Sequence, residues 1–225
     1  MVLHKMFRST LTVSLMTLLS RITGLIRDIA FAQILGSGLV ADAFFIAFRI
    51  PNFFRRIFAE GAFTAGFVPV YTEYESRYPA PQVRLFLDLM LGRLALILLL
   101  FTLLGVLGAP WLVVMIAPGF VEQADKYAAT VSALRFTFPY LFFISLVAMA
   151  GGILNARDRF AVPAVTPVLL NLCLIVSVIW AVSFATNIAL TLGIGVFVAG
   201  MGQLGFQLPF FYLDKRTPQP KKITK

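Results

Sequence analysis

Three tracts of this chain carry no charged side chain: residues 94–121, 136–156 and 160–213 contain no Asp, Glu, Lys or Arg. A helix needs about 20 mostly apolar residues to cross the hydrocarbon core of a bilayer, and each tract is that long. Pro and Gly are interleaved in them, and the ten-residue alternation of a transmembrane barrel strand is missing. The pattern predicts six membrane-spanning segments. The first covers roughly 8–35 and stops at Gly36-Ser37-Gly38, a helix-terminating cluster. The second runs from Val40 to about Tyr74, longer than one crossing requires, and holds Pro51 and Pro69, so it should be kinked or broken. The third covers about 85–117 and ends at Ala117-Pro118-Gly119. The fourth covers about 126–155, with Pro139 inside it. The tract 160–213 holds the fifth and sixth, split near Ser183–Asn187. Small residues at helical spacing (Gly61/Ala65, Ala62/Gly66, Gly195/Ala199) either allow close helix packing or reflect the general frequency of Gly in spans.

The expected fold is therefore all-α, a polytopic helical bundle of about six transmembrane helices over residues 1–213, with a basic tail or linker at 214–225. Composition agrees: 60% of residues are hydrophobic and 13% charged, with a mean hydropathy of +0.90. A water-soluble domain of 225 residues cannot hide that much apolar surface. The net charge of +9 does not point to nucleic acid, because the basic residues sit mostly at span ends. Lys5 and Arg8, then Arg77, Arg84 and Arg93, then Arg157 and Arg159, then the tail from Lys215 to Lys225 all fall on alternate connections. The opposite connections hold only Lys126. Lys and Arg accumulate on the cytoplasmic side, so both ends are expected in the cytoplasm. The first 20 residues mimic a secretory leader but lack a small-x-small cleavage site, and are expected to be an uncleaved first helix.

Chemistry is sparse. Cys173 is the single cysteine and His4 the single histidine, so neither an intrachain disulfide nor a histidine metal site is expected, and no cofactor. Gly200-Met-Gly202-Gln-Leu-Gly205 matches a dinucleotide-binding pattern, yet that pattern works only between a strand and a helix start, not deep in an uncharged tract. The exception is residues 20–71, where Arg21, Arg27, Arg49, Arg55 and Arg56 and the acids Asp28, Asp42 and Glu60 interrupt apolar sequence. A charge within a span costs about 2.5–3.5 kcal/mol on insertion scales, so it tends to face a bundle interior or a water-filled cavity. On an ideal helix Arg21 and Asp28 lie within about 20° of each other, and Asp42, Arg49, Arg56 and Glu60 form one stripe that Pro51 interrupts. Arg27 and Arg55 project off these stripes and need another helix, a cavity or a ligand. Arginine–acid pairs could serve as internal glue, with Arg55 and Arg56 reaching an interface. Five arginines against three acids leave positive charge over, however, and the planar guanidinium suits phosphate oxygens. An anionic passenger is the reading that uses the surplus. Arg135 fits either an interface or the same cavity.

The segments SRITGLIRDIAFAQILGSGLVADAFFIAF, RIPNFFRRIFAEGAFTAGFVPVYTEY, APGF at 117–120, FPYLFFISL at 138–146 and ILNARDRFAVPAVTPVLLN resemble the MurJ (MviN) family. Its members are inner-membrane flippases of lipid II, the polyprenyl-diphosphate-linked peptidoglycan precursor. They belong to the multidrug/oligosaccharidyl-lipid/polysaccharide exporter superfamily and have two six-helix lobes. The resemblance covers the first lobe. It implies that Arg21, Arg27 and Arg55 line a cationic central cavity, with Asp28, Asp42 and Glu60 as acidic partners and Ser20 and Asn52 nearby. It further implies lipid II as cargo, membrane lipids and a second lobe or chain as partners, and transport by alternating access about a midplane site without covalent chemistry. Two other functions are compatible with the residues alone: export of drugs or other lipid-linked sugars, and a non-transporting membrane scaffold.

Overall fold

A computed structural model describes residues 2–57 and 62–212. Among them there is no strand. Among the described residues nine α-helices follow one another: α1 (Val2–Leu35), α2 (Leu39–Arg55), α3 (Ala62–Arg77), α4 (Ala80–Leu107), α5 (Ala109–Ile116), α6 (Ala124–Thr137), α7 (Tyr140–Ala156), α8 (Ala161–Phe184) and α9 (Ile188–Tyr212), with a short 3-10 turn at Pro118–Phe120. The all-α membrane bundle read from the sequence is what forms. Four helical stretches are long and apolar enough to cross a membrane: 80–107, 124–156, 161–184 and 188–211. They correspond to the third to sixth expected spans. The expected first and second spans coincide with α1 and with α2 plus α3, and they do not add to those four among the described residues.

Local signals end the helices where anticipated. α1 stops at Gly36, whose φ of +57° is the left-handed conformation that favours glycine. The described parts of the second expected span are α2 and α3, with Pro51 inside α2, Pro69 inside α3 and a short π-helical turn at Arg56–Ile57. Residues 58–61, where a break between them would fall, lie outside the described residues.

The reason α2 survives Pro51 lies on another helix. A proline at position 51 has no N–H to give the carbonyl four residues back, Ala47. The Thr137 hydroxyl donates to that carbonyl instead, at 2.8 Å in a buried setting. Pro167 inside α8 is treated the same way locally. It deprives the Pro163 carbonyl, and the Thr166 hydroxyl donates to it at 2.7 Å. Pro139, placed inside one continuous fourth span by the sequence, stands between α6 and α7.

α9 is the hub. α8, α7, α6 and α2 all pack against it, α2 also lies on α6, and α1 runs along α8. Gly195 of the Gly195/Ala199 pair sits where α8 crosses, since a Cβ there would fall 2.0 Å from Ser177 Oγ. Gly105 of α4 likewise leaves room for the Phe138 ring, 2.0 Å from where its Cβ would stand. A Cβ at Gly66 would meet nothing within 4 Å, while the side chains of Ala62 and of the Gly61/Ala65 pair lie outside the described residues. The core has three parts: α2/α6 around Leu134 and Phe138, α2/α7/α8/α9 around Phe44 and Tyr140, and α3/α4/α7 around Tyr71 and Ile153. Of the described side chains on α1, only Thr23 and Phe31 are buried. Its other flanks present Leu15, Leu18, Ile22, Leu25, Ile26 and Ile29 outward.

Candidate functional site

The expected site residues form two clusters on different faces of α8. The first joins α1 to α8. Arg27 uses Nε and Nη2 on Asp28 Oδ1, at 3.0 and 2.7 Å, and Nη1 on Asn171 Oδ1 at 2.8 Å. Asn171 is only 6% exposed. Its Nδ2 donates to the Ser20 carbonyl at 3.0 Å and to Thr23 Oγ1 at 3.2 Å, while Thr23 donates to the Leu19 carbonyl at 2.9 Å. These bonds fix which way the Asn171 amide points. A flipped amide would set its NH2 against a guanidinium N–H, donor against donor. Gly24 keeps α1 close enough, since a Cβ there would already touch Asn171 Nδ2 at 3.4 Å. Three of the five guanidinium N–H donors of Arg27 are engaged, and two stay available to a ligand.

The second cluster opens on a cavity of about 630 Å³ between the ends of α2, α7, α8 and α9. Asn52 and Arg55 line it. Asn52 Nδ2 donates to the Phe48 carbonyl at 3.0 Å, which turns its Oδ1 toward Arg55 Nε at 3.3 Å. Leu170 lines the same cavity, and Asn171, about 100° further round the helix, faces α1 instead. The cavity wall therefore includes Asn52 and Arg55 but not Ser20, Arg21, Arg27, Asp28, Asp42, Arg49 or Arg56.

The acids do not follow the stripes drawn on ideal helices. Asp28 pairs with its neighbour Arg27 rather than with Arg21. Asp42 pairs with Lys126 Nζ at 2.6 Å, at the start of α6, rather than with Arg49 or Arg56. Lys126 is 13% exposed and also stands 4.4 Å over the Phe120 ring. Glu60 lies outside the described residues. Arg21, Arg49 and Arg56 are exposed and make no ion pair or hydrogen bond among the described residues. Arg135 is exposed too, in the last turn of α6.

Several polar residues that organise the lobe were not singled out from sequence. Asn171, Gln203 and Gln207 lie within the uncharged tract 160–213, where an amide looks like an isolated polar residue in a span. Their only advance signal was being polar and uncharged at that depth. Arg157, read as a basic loop marker, turns inward: its Nε reaches Tyr71 Oη at 2.9 Å and Glu75 Oε1 at 3.2 Å, and Tyr71 donates to that carboxylate at 2.5 Å. This trio ties α3 to the end of α7. Among the described residues no group of three or more His, Cys, Asp or Glu could hold a metal ion.

Comparison with known proteins places this architecture. The family described as "Lipid II flippase MurJ" matches over residues 31–224. A protein named "Probable lipid II flippase MurJ" from Vibrio cholerae is 41% identical over 224 residues, 96% of this chain and 43% of its own length. Its counterpart from Buchnera aphidicola of Acyrthosiphon pisum is 40% identical over 92% of this chain and 40% of its own. The "Lipid II flippase MurJ" of Burkholderia cenocepacia is 39% identical over 91% and 40%. A solved structure titled "Lipid II flippase MurJ, inward closed conformation" superposes with a TM-score of 0.70 at 29% identity, covering 86% of this chain and 41% of that one. The chain thus spans about two-fifths of the length of these relatives. With a family match over most of its residues and a shared fold, the chain belongs to the lipid II flippase MurJ family.

Proposed function

We propose that this lobe forms part of a lipid II flippase, moving a polyprenyl-diphosphate-linked head group across the bacterial inner membrane. The protein acts as a transporter and changes no covalent bond. It works in six spans, with residues 78–84 and 156–159 on the cytoplasmic side. The observation that carries this reading is how the cations are held. Arg27 is held by the neutral Asn171 amide as well as by the Asp28 carboxylate and still keeps two N–H donors, and the Asn52 amide accepts from Arg55 at the cavity wall. Arg21, Arg49 and Arg56 add positive charge without internal acids. The Asn171 amide fixes the Arg27 guanidinium beyond what Asp28 alone does and leaves donors over for an anion. Diphosphate oxygens accept charge-assisted, often bidentate bonds roughly twice as strong as neutral ones. Because two clusters rather than one converge within this lobe, a second lobe is proposed to close the path between them, with alternating access exposing the head group on each side in turn.

The test is complementation of cells depleted of their own flippase, with this chain supplied alongside a matching second lobe and membrane levels checked by blot. Arg27→Ala and Arg55→Ala should each abolish growth support at normal protein levels, and Lys at either position should restore it in part, keeping charge but losing the fork. Normal growth with both alanine variants would remove the anionic-cargo reading and leave a membrane scaffold.

A further inference from the structure

The cavity beside Arg55 has a floor that the arginines do not explain. Gln203 and Gln207 of α9 are spaced one turn apart on one helix face, line the cavity, and are each 1% exposed. Gln203 Nε2 donates to the Thr166 carbonyl at 2.6 Å, but its Oε1 has no partner, and neither Oε1 nor Nε2 of Gln207 has one. A buried amide without hydrogen bonds costs on the order of kilocalories, and the cost is not relieved inside a membrane-embedded lobe unless something in the cavity supplies partners. Gly151 and Gly152 line the cavity too, and Gly151 lets α7 approach the floor closely, since a Cβ there would stand 3.3 Å from Pro163 and 3.7 Å from Gln207 Nε2. At about 630 Å³ the cavity is in the size range of small-molecule sites.

The chemistry of the floor selects the occupant. Two amide oxygens and one NH2 group are neutral and offer both acceptors and donors. They suit a neutral group that does the same, such as hydroxyls or an acetamido group, and their oxygens would repel an anion. Arg55 and Asn52, on another wall of the same cavity, supply the cationic contact. We propose that Gln203 and Gln207 form a sugar subsite that receives the hydroxyl and acetamido groups of an N-acetylated hexosamine, while Arg55 holds the adjoining diphosphate. This rests on the flippase reading above and extends it from the phosphate to the sugar.

The experiment measures binding of undecaprenyl diphosphate, bare and carrying one N-acetylglucosamine, to the chain in lipid nanodiscs. The sugar-bearing lipid should bind about five- to tenfold more tightly, as expected for one or two hydrogen bonds to otherwise unpaired groups. Gln203→Met and Gln207→Met keep the shape and remove the amides, and should draw that ratio toward one. The thermal midpoint of Gln207→Met should stay level or rise, because an amide with no partner is removed, whereas Gln203→Met also loses the bond to the Thr166 carbonyl; loss of the ratio in Gln207→Met is therefore not loss of fold. Equal affinity of the two lipids for the parent chain, or an undiminished ratio in both Met variants, would overturn the subsite and leave the cavity to water. If neither lipid binds better than undecaprenol, the flippase reading fails separately. The subsite is then decided by free N-acetylglucosamine: protection of Ala148→Cys, in a Cys173→Ala background, from a maleimide supports it, and no protection overturns it.

Discussion

At the scale of single residues, the function of a charge in this lobe depends on the neutral group next to it. Asn171 bridges two helices with one amide, binding the Ser20 carbonyl and Thr23 on one side and Arg27 on the other. Hydrogen bonds to charged groups contribute about 1.5–3 kcal/mol, so Asn171→Leu should lower stability by an amount in that range. The same bond makes the two residues one unit. In a double-mutant cycle followed by thermal denaturation in detergent, Asn171→Leu and Arg27→Ala should be non-additive by about 0.5 kcal/mol or more. Additive effects would mean that Asn171 merely packs. The Asp42–Lys126 pair is a different case: Asp42 is half exposed, and exposed ion pairs contribute about 1 kcal/mol or less. Its place is to set where α2 starts against α6 more than to stabilise the lobe.

At the scale of helices, the prolines matter through the carbonyls they leave behind. α2 carries Asn52 and Arg55 just beyond Pro51, so the course of the helix past that proline aims both side chains. Thr137 of α6 satisfies the freed Ala47 carbonyl. Thr137→Val should therefore cost about 1–2 kcal/mol, the penalty of a buried acceptor left unmade. In a Pro51→Ala background the restored N–H can bond Ala47 directly, and the same Thr137→Val change should cost much less. Chemical denaturation of the four proteins gives the comparison, and an equal cost in both backgrounds would refute the compensation. The crossing of α4 by Phe138 depends on Gly105 in a similar way. Gly105→Ala would drive a methyl into the ring, and overpacking of this kind typically costs about 1–3 kcal/mol. Phe138→Leu should recover part of that loss in the same assay.

At the scale of the molecule, the lobe is asymmetric. α6, α7 and α9 make its interior, while α1 touches little except α8 and leaves a broad apolar and cationic flank outward. The relatives it matches are more than twice as long, which is consistent with a helix whose remaining faces have other neighbours. The proposed topology can be checked by single-cysteine labelling in a Cys173→Ala background within intact cells. Cysteines at 36–40, 119–125 and 184–187 should react with an impermeant thiol reagent from outside, and those at 78–84 and 156–159 only after permeabilisation. Protection at 119–125 from outside would rule out the six-span arrangement, because α5 and α6 flank that connection.

The sequence by itself determined the class of molecule and most of its punctuation. Uncharged length decides that a segment is a buried or lipid-facing helix, and Gly36 and the 183–187 break act on the backbone within a turn of themselves, so these were legible without neighbours. It also concentrated attention on residues 20–71, where charge is out of place in a membrane. Tertiary structure decided which groups those charges meet. Arg27 and Asn171 are 144 residues apart, Asp42 and Lys126 belong to α2 and α6, and Thr137 reaches a carbonyl 90 residues away. A stripe on one ideal helix cannot anticipate such pairings, because a side chain takes its partner from whichever helix packs beside it. The amides of Gln203 and Gln207 looked inert for the same reason: a polar side chain in an apolar tract gains meaning only when neighbouring helices, here α2, α7 and α8, enclose a cavity with it.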